Sequence, residues 1–354
     1  MQVLVSRKIL LNIRRKVITP LAFAIALGAF SFADQAQAQD KKKPAQPAQR
    51  KDKKEKPPAP VNLTIDTKDG VKLRCTFFGR PKSEKGDVGK SVIPFILLHD
   101  WEGNRQQLLQ YGSYLQSQGH AAIVPDFRGH GESVNVAGRD KEISFEKFRK
   151  ADIPSAMFDI EACKKFLVKK HNQELVNIDL LSIVAVGESS VLALNWVWSD
   201  WWDFPPVNAQ GIKQGQDVKA LMLVSPKKKL SGVAMADRMK HPMFTGVAGG
   251  GMPLLILWGT EDKEAAKDSE RIHAMLKKSR PDISKIEDRD ERYARTSLFG
   301  QPIEGSSLTG VELMATPVVN RLWPYTENFF AKKVGGRAKE WVWKTREVQE
   351  EEDE

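Results

Sequence analysis

Ser189 is the residue of this chain best placed for covalent chemistry. It lies in Gly187-Glu188-Ser189-Ser190-Val191, directly after the apolar run Leu180–Val186. A sharp turn from strand to helix would hold such a hydroxyl at the tip of a sheet, with the next N–H, that of Ser190, free to bind an oxyanion. The hydroxyl is a weak nucleophile until a neighbouring base takes its proton. The alternative is a serine that only caps the start of a helix, where Ser is among the preferred residues. Other chemistries fail on spacing. Gly86-Asp87-Val88-Gly89-Lys90-Ser91 ends like a phosphate-binding loop, but Glu84 stands where that loop needs a Gly, and a strand follows instead of a helix. No Cys/His cluster has metal spacing and no dinucleotide glycine fingerprint follows a strand, so neither metal nor cofactor is expected. Cys75 and Cys163 are expected as buried free thiols, although an oxidising compartment would permit a bridge.

The elements that must position Ser189 begin well inside the chain. Of 354 residues, 41% are hydrophobic and 28% charged, which excludes wholesale disorder and a multi-span membrane protein. The net charge of +10 is not spread over the chain: residues 1–38 carry +4, residues 39–60 carry +5 and the remainder only +1. That distribution argues against a nucleic-acid surface. Residues 1–38 read as a secretory signal, with Arg7, Lys8, Arg14, Arg15 and Lys16 before an apolar run and Ala36-Gln37-Ala38 as the cleavage site. The run is short of the roughly 18–20 apolar residues of a membrane span. A secreted or periplasmic protein without an integral span after signal removal is therefore expected. Residues 39–60, rich in Lys, Pro, Ala and Gln, form a disordered linker. Residues 334–354 form a tail that opens on Gly335-Gly336 and ends acidic.

Between them, residues 61–333 alternate short β-branched runs with helical stretches, the pattern of an α/β fold with a mostly parallel sheet and helices on both faces. Val61–Thr67 and Val71–Phe78 flank an Asp69-Gly70 turn and predict a hairpin. Val92–Leu98, Ala121–Val124, Leu180–Val186, Val218–Val224 and Leu254–Trp258 are compact apolar runs, as expected of strands buried on both faces. Arg105–Gln118 and Ile153–Lys170 show helical periodicity. The segment 225–252 is short for an inserted cap, so an open pocket is expected.

Four segments in this frame resemble those of the α/β-hydrolase family, a match covering roughly residues 61–333 in the family's order. Leu97-Leu98-His99-Asp100-Trp101-Glu102-Gly103 resembles the His-Gly loop and implies Trp101 as one oxyanion N–H donor, with Ser190 as the other. Asp126-Phe127-Arg128-Gly129-His130-Gly131-Glu132-Ser133 resembles the architectural Asp-x-Arg-Gly-x-Gly-x-Ser loop. Gly187-Glu188-Ser189-Ser190-Val191 takes the place of the nucleophile elbow, implying Ser189 as nucleophile, and Gly259-Thr260-Glu261-Asp262 resembles the turn that carries the acid, implying Asp262. Two positions depart from the pattern. Val191 is β-branched where the family has a small residue, and Asp100 replaces the glycine that lets the first loop turn freely. Asp262 also suits a plain helix cap before Lys263.

The histidine is missing. Thr309-Gly310 falls where His-Gly is expected, and a threonine hydroxyl is no general base at neutral pH. His273, the only histidine after Asp262, lies on a helix that would carry it roughly 15 Å below the catalytic edge. His99 and His130 share the edge of Ser189 and are the possible substitute bases; His120 belongs to the opposite edge, and His241 has no clear place. Trp196, Trp198, Trp201 and Trp202 cluster after the elbow helix, Trp196 as core and Trp201 and Trp202 as candidates to stack on sugars or apolar ligands. Two readings follow. One is a weak or noncatalytic hydrolase homologue that binds a ligand or partner, such as a small ester or amide or a cell-envelope ligand. The other is an active serine hydrolase of ester or amide bonds with a non-standard base.

Overall fold

The structure is a computed structural model that describes residues 57–80, 89–201, 205–209, 211–246, 251–315, 322–338 and 343–347. The signal segment, most of the linker, the loop 81–88, Trp202 and the acidic end of the tail lie outside the described residues.

Eight strands build one sheet: β1 (Val61–Asp66), β2 (Lys72–Phe78), β3 (Pro94–Leu98), β4 (Ala121–Pro125), β5 (Ser182–Val186), β6 (Ala220–Val224), β7 (Leu254–Gly259) and β8 (Leu298–Ile303). Their spatial order is β1-β2-β4-β3-β5-β6-β7-β8. β1 and β2 pair antiparallel across the expected turn, where Gly70 takes φ +83°, and β2 runs antiparallel to β4. From β4 to β8 every pairing is parallel. The strands β3 to β7 are buried throughout, which is why their sequences are unbroken apolar runs. β8 has no such run. It contains Gly300 and Pro302, and a proline is tolerated there because the strand is an edge.

Among the described residues five longer helices cover the two faces: α1 (Leu109–Ser117), α2 (Met157–Asn172), α3 (Ser189–Asp200), α4 (Lys263–Ser279) and α5 (Leu322–Lys333). Alternate strand residues feed two cores. Ile96, Leu98, Ile183, Ala185 and Leu223 pack with α2, α3 and α4, whereas Phe95, Leu97, Val184, Val186 and Met222 pack with α1 and α5. At roughly 1.5–3 kcal/mol for each fully buried large apolar side chain, these two layers dominate the folding free energy. The helices α1 and α2 each start on a short 3-10 turn, Arg105–Leu108 and Ile153–Ala156. The region after β6 holds a small hairpin, Lys229–Leu230 with Val233–Ala234, and one helical turn, Pro242–Thr245.

Part of the expected tail is docked. His171 Nε2 meets the Lys344 carbonyl at 2.8 Å, and Asn172 and Arg346 exchange hydrogen bonds of 2.7 and 2.9 Å. Residues 343–347 thus lie against the C-terminal end of α2. Cys75 and Cys163 are both buried free thiols. Among the described residues no helix is long and apolar enough to cross a membrane.

Candidate functional site

The turn after β5 decides which side chains face the sheet edge. The chain leaves Val186, takes a left-handed conformation at Gly187 (φ +56°), and enters α3 at Ser189. Ser189 is therefore already helical and fully buried. Its Oγ accepts from the Val186 N–H at 3.0 Å and donates back to the Val186 carbonyl at 2.8 Å, with the Leu98 carbonyl at 3.3 Å. The hydroxyl closes the end of β5 instead of standing out from it. Ser190 is also turned inward: its N–H reaches the Gly187 carbonyl at 3.4 Å, and its Oγ bonds that carbonyl and accepts from the Lys227 N–H.

The N–H groups that converge at this edge are those of Trp101 and Glu188. Both donate to a single oxygen, Asp100 Oδ1, at 2.8 and 3.0 Å. Two backbone N–H groups from separate loops aimed at one oxygen have the form of an oxyanion hole, with Glu188 in place of the expected Ser190. The N–H of Ser190 is consumed within the first helical turn, so it has no route to the Trp101 loop. The Asp100 carboxylate fills the space above Gly187, where an added Cβ would lie 2.2 Å from both of its oxygens. Gly310, with φ +53°, bounds the other side, and a Cβ there would come within 3.3 Å of Asp100 Oδ2. The loop after β8 therefore does reach the elbow, but with Gly310, whose N–H donates to Ser225 Oγ at 2.9 Å.

The turn residue Gly187 has small neighbours two positions away on either side, Ala185 and Ser189. Counted from Gly187, the small residue needed for close approach of helix and strand is Ser189, and the misfit at Val191 disappears. The signal for this register was the glycine itself, the residue that takes positive φ most readily.

The histidines near this edge hold loops. His99 is fully buried and burial pulls its pKa down to about 3. Its Nε2 faces the Phe127 N–H at 3.1 Å and its Nδ1 the Asp100 carbonyl at 2.6 Å, which assigns the proton to Nδ1. His130 places its two ring nitrogens on the carbonyls of Arg128 and Trp101 and stacks on Phe145 at 4.0 Å. Burial lowers its pKa as well. Among the described residues neither imidazole, nor any other, is a hydrogen-bond partner of Ser189 or Asp262. Asp262 is exposed, and its Oδ1 accepts from the N–H groups of Glu264 and Ala265, an N-cap of α4. His273 lies beside Trp258 and against the middle of β8, where it leaves no room for a side chain at Gly300. Thr309 is half-buried and its carbonyl accepts from the Glu312 N–H.

The rim is acidic. Glu188 is half-buried, and its pKa is raised by burial first and then by the charges of Asp100 and Glu102, with Lys227 opposing. Among the described residues no group of three or more His, Cys, Asp or Glu side chains could hold a metal ion. The described tryptophans of this cluster are packed: Trp196 is buried with its N–H on Glu161, Trp201 donates to the Val218 carbonyl at 2.9 Å, and Arg238 stacks on Trp198 at 3.8 Å.

No protein-family model matches the chain, and no curated protein matches it by sequence. Solved structures do match its fold. Thermogutta terrifontis esterase 2, phosphorylated by paraoxon, superposes with a TM-score of 0.51 at 12% identity, covering 78% of this chain and 95% of that one. The hypothetical protein PA2218 from Pseudomonas aeruginosa gives 0.50 at 13% identity, covering 78% and 94%. The α/β hydrolase GrgF from Penicillium sp. sh18 gives 0.49 at 10% identity, covering 78% and 99%. Identities this low speak to fold alone: the chain has the α/β-hydrolase fold.

Proposed function

We propose that this chain is an exported, noncatalytic homologue of the serine hydrolases that serves by binding a ligand or partner. The observation that carries this reading is the Asp100 carboxylate on the N–H groups of Trp101 and Glu188. An oxyanion hole accelerates acyl transfer by holding the charge that develops on the substrate oxygen. Here a resident carboxylate already occupies both donors, and the elbow residue beneath it, Gly187, carries no nucleophile. Ser189 is two residues too late in the chain, with its hydroxyl bonded to the strand below and no base beside it. The acid position keeps Asp262, but as a helix cap with no imidazole to orient.

A fluorophosphonate serine probe tests the reading directly. Mature protein is expected to remain unlabelled at Ser189 and to leave short-chain esters intact. Stoichiometric labelling of Ser189, abolished by Ser189→Ala, would establish instead the active serine hydrolase with a non-standard base.

A further inference from the structure

The chain has two cysteines, Cys75 on β2 and Cys163 on α2, and the edge of Asp100 uses neither. Both sulfurs lie in the same core layer, on residues 1% and 0% exposed. Their neighbours bring them level. Two residues beyond Cys75, Phe77 packs edge-on against Phe166, three residues beyond Cys163, with ring centroids 5.0 Å apart. In the other direction Asp159, one turn before Cys163, takes the Arg128 guanidinium that also binds Asp69 in the turn before β2. β2 and α2 therefore run side by side in one direction. Counted back from the phenylalanine contact, two strand residues span about 7 Å and three helix residues about 4.5 Å, so the cysteines fall at nearly the same level. The Cys163 thiol is held well above its ordinary range by burial first and then by Cys75 beside it.

We propose that in an oxidising compartment Cys75 and Cys163 close into a disulfide that pins α2 to β2. The compartment rests on the export proposed for this chain, whereas the pairing rests on the packing alone. Each sulfur loses its proton and one electron, and one S–S bond replaces two S–H bonds. The two electrons and two protons pass to a small-molecule or protein disulfide, which leaves as two thiols. Exchange needs an exposed thiolate, so it precedes burial and belongs to folding. Once the chain is folded, both sulfurs are out of reach of a reductant. The bridge closes the long loop from position 75 to position 163, which includes Asp100 and Arg128, and so cuts the freedom of the unfolded chain.

Protein refolded from urea in a buffer of oxidised and reduced glutathione, then alkylated with iodoacetamide in denaturant and read by mass spectrometry, tests it. The expected product is a monomer lighter than the reduced chain by two hydrogens, without alkyl groups, that yields a linked Cys75–Cys163 peptide. It should keep the bridge in dithiothreitol while folded and lose it when urea is added. Its melting temperature should lie about 5–10 °C above that of protein refolded in dithiothreitol. Alkylation of both cysteines overturns the proposal, as does glutathione left on either one or a bridge formed only between chains. A bridged monomer that melts no higher than the reduced one overturns it too, because the bond would then oppose the packing. The refolding assay does not depend on the compartment. Its failure counts against the pair, whereas reduced protein with an intact Met1 in the producing cell counts against export.

Discussion

At the scale of single residues, the exchange that matters is between Asp100 and Gly187. A side chain at 187 and the present Asp100 position exclude each other, since the added Cβ would sit 2.2 Å from the carboxylate. Gly187→Ser should therefore destabilise the protein by about 2–4 kcal/mol through overpacking and left-handed strain. Asp100→Gly alone should cost about 1–3 kcal/mol, because two N–H groups lose a charged acceptor. The double variant should recover at least about 1 kcal/mol relative to the sum, read from urea unfolding as a coupling energy. Strict additivity would show that the carboxylate does not fill the elbow. His99 makes a second prediction. Its folded pKa, near 3, lies below the unfolded value near 6.5, so its contribution to stability is full above pH 6.5 and is lost as pH falls toward 3. The loss amounts to roughly 2 kcal/mol by pH 5. Asp159 works in the opposite sense, since burial raises it to about 6 and acidification from pH 6 to 4 favours the folded state. Thermal melts between pH 7 and 4 should fall less steeply for His99→Gln than for the unmodified protein, and equal slopes would refute the assignment.

At the scale of elements, the loop after β4 is the clearest case of sequence dictating architecture. Arg128 is buried, its guanidinium shared between Asp159 on α2, at 2.7 and 2.9 Å, and Asp69 in the β1–β2 turn, at 3.0 Å. One side chain thus ties the hairpin, the β4 loop and α2 together, and Asp126 similarly receives the Arg105 and Glu132 N–H groups at 2.6 and 3.0 Å. Arg128→Met would leave Asp159 buried without its partner, a loss of about 3–5 kcal/mol. The expected result is a markedly lower urea midpoint with an unchanged slope; a midpoint within a few tenths of a molar would mean that the network contributes little.

For the whole molecule, the leader's basic residues, apolar run and small-residue site ending at Ala38 predict export with removal of residues 1–38, and mass spectrometry of protein from the producing cell should find Gln39 as the first residue. An intact Met1 on cytoplasmic protein would contradict it. The sequence by itself determined the layered α/β architecture and its central strands, because apolar runs and helical periodicity are local properties that burial selects directly. Leu254–Trp258 is a compact apolar run of strand length, whereas β8, half-exposed and carrying Gly300 and Pro302, left no comparable trace. The order of the loops that carry Trp101, Ser189 and Asp262 was legible for the same local reason, and the loop of Gly310 reaches the elbow as well. Tertiary structure alone decided what stands there. That Gly187 and not Ser189 takes the turn had a local signal in the glycine, but what covers that turn had none. The occupant of the two N–H groups depends on Asp100 meeting Glu188 across 88 residues of chain. Such contacts are set by the packing of loops from different strands, and no pattern within either loop encodes them.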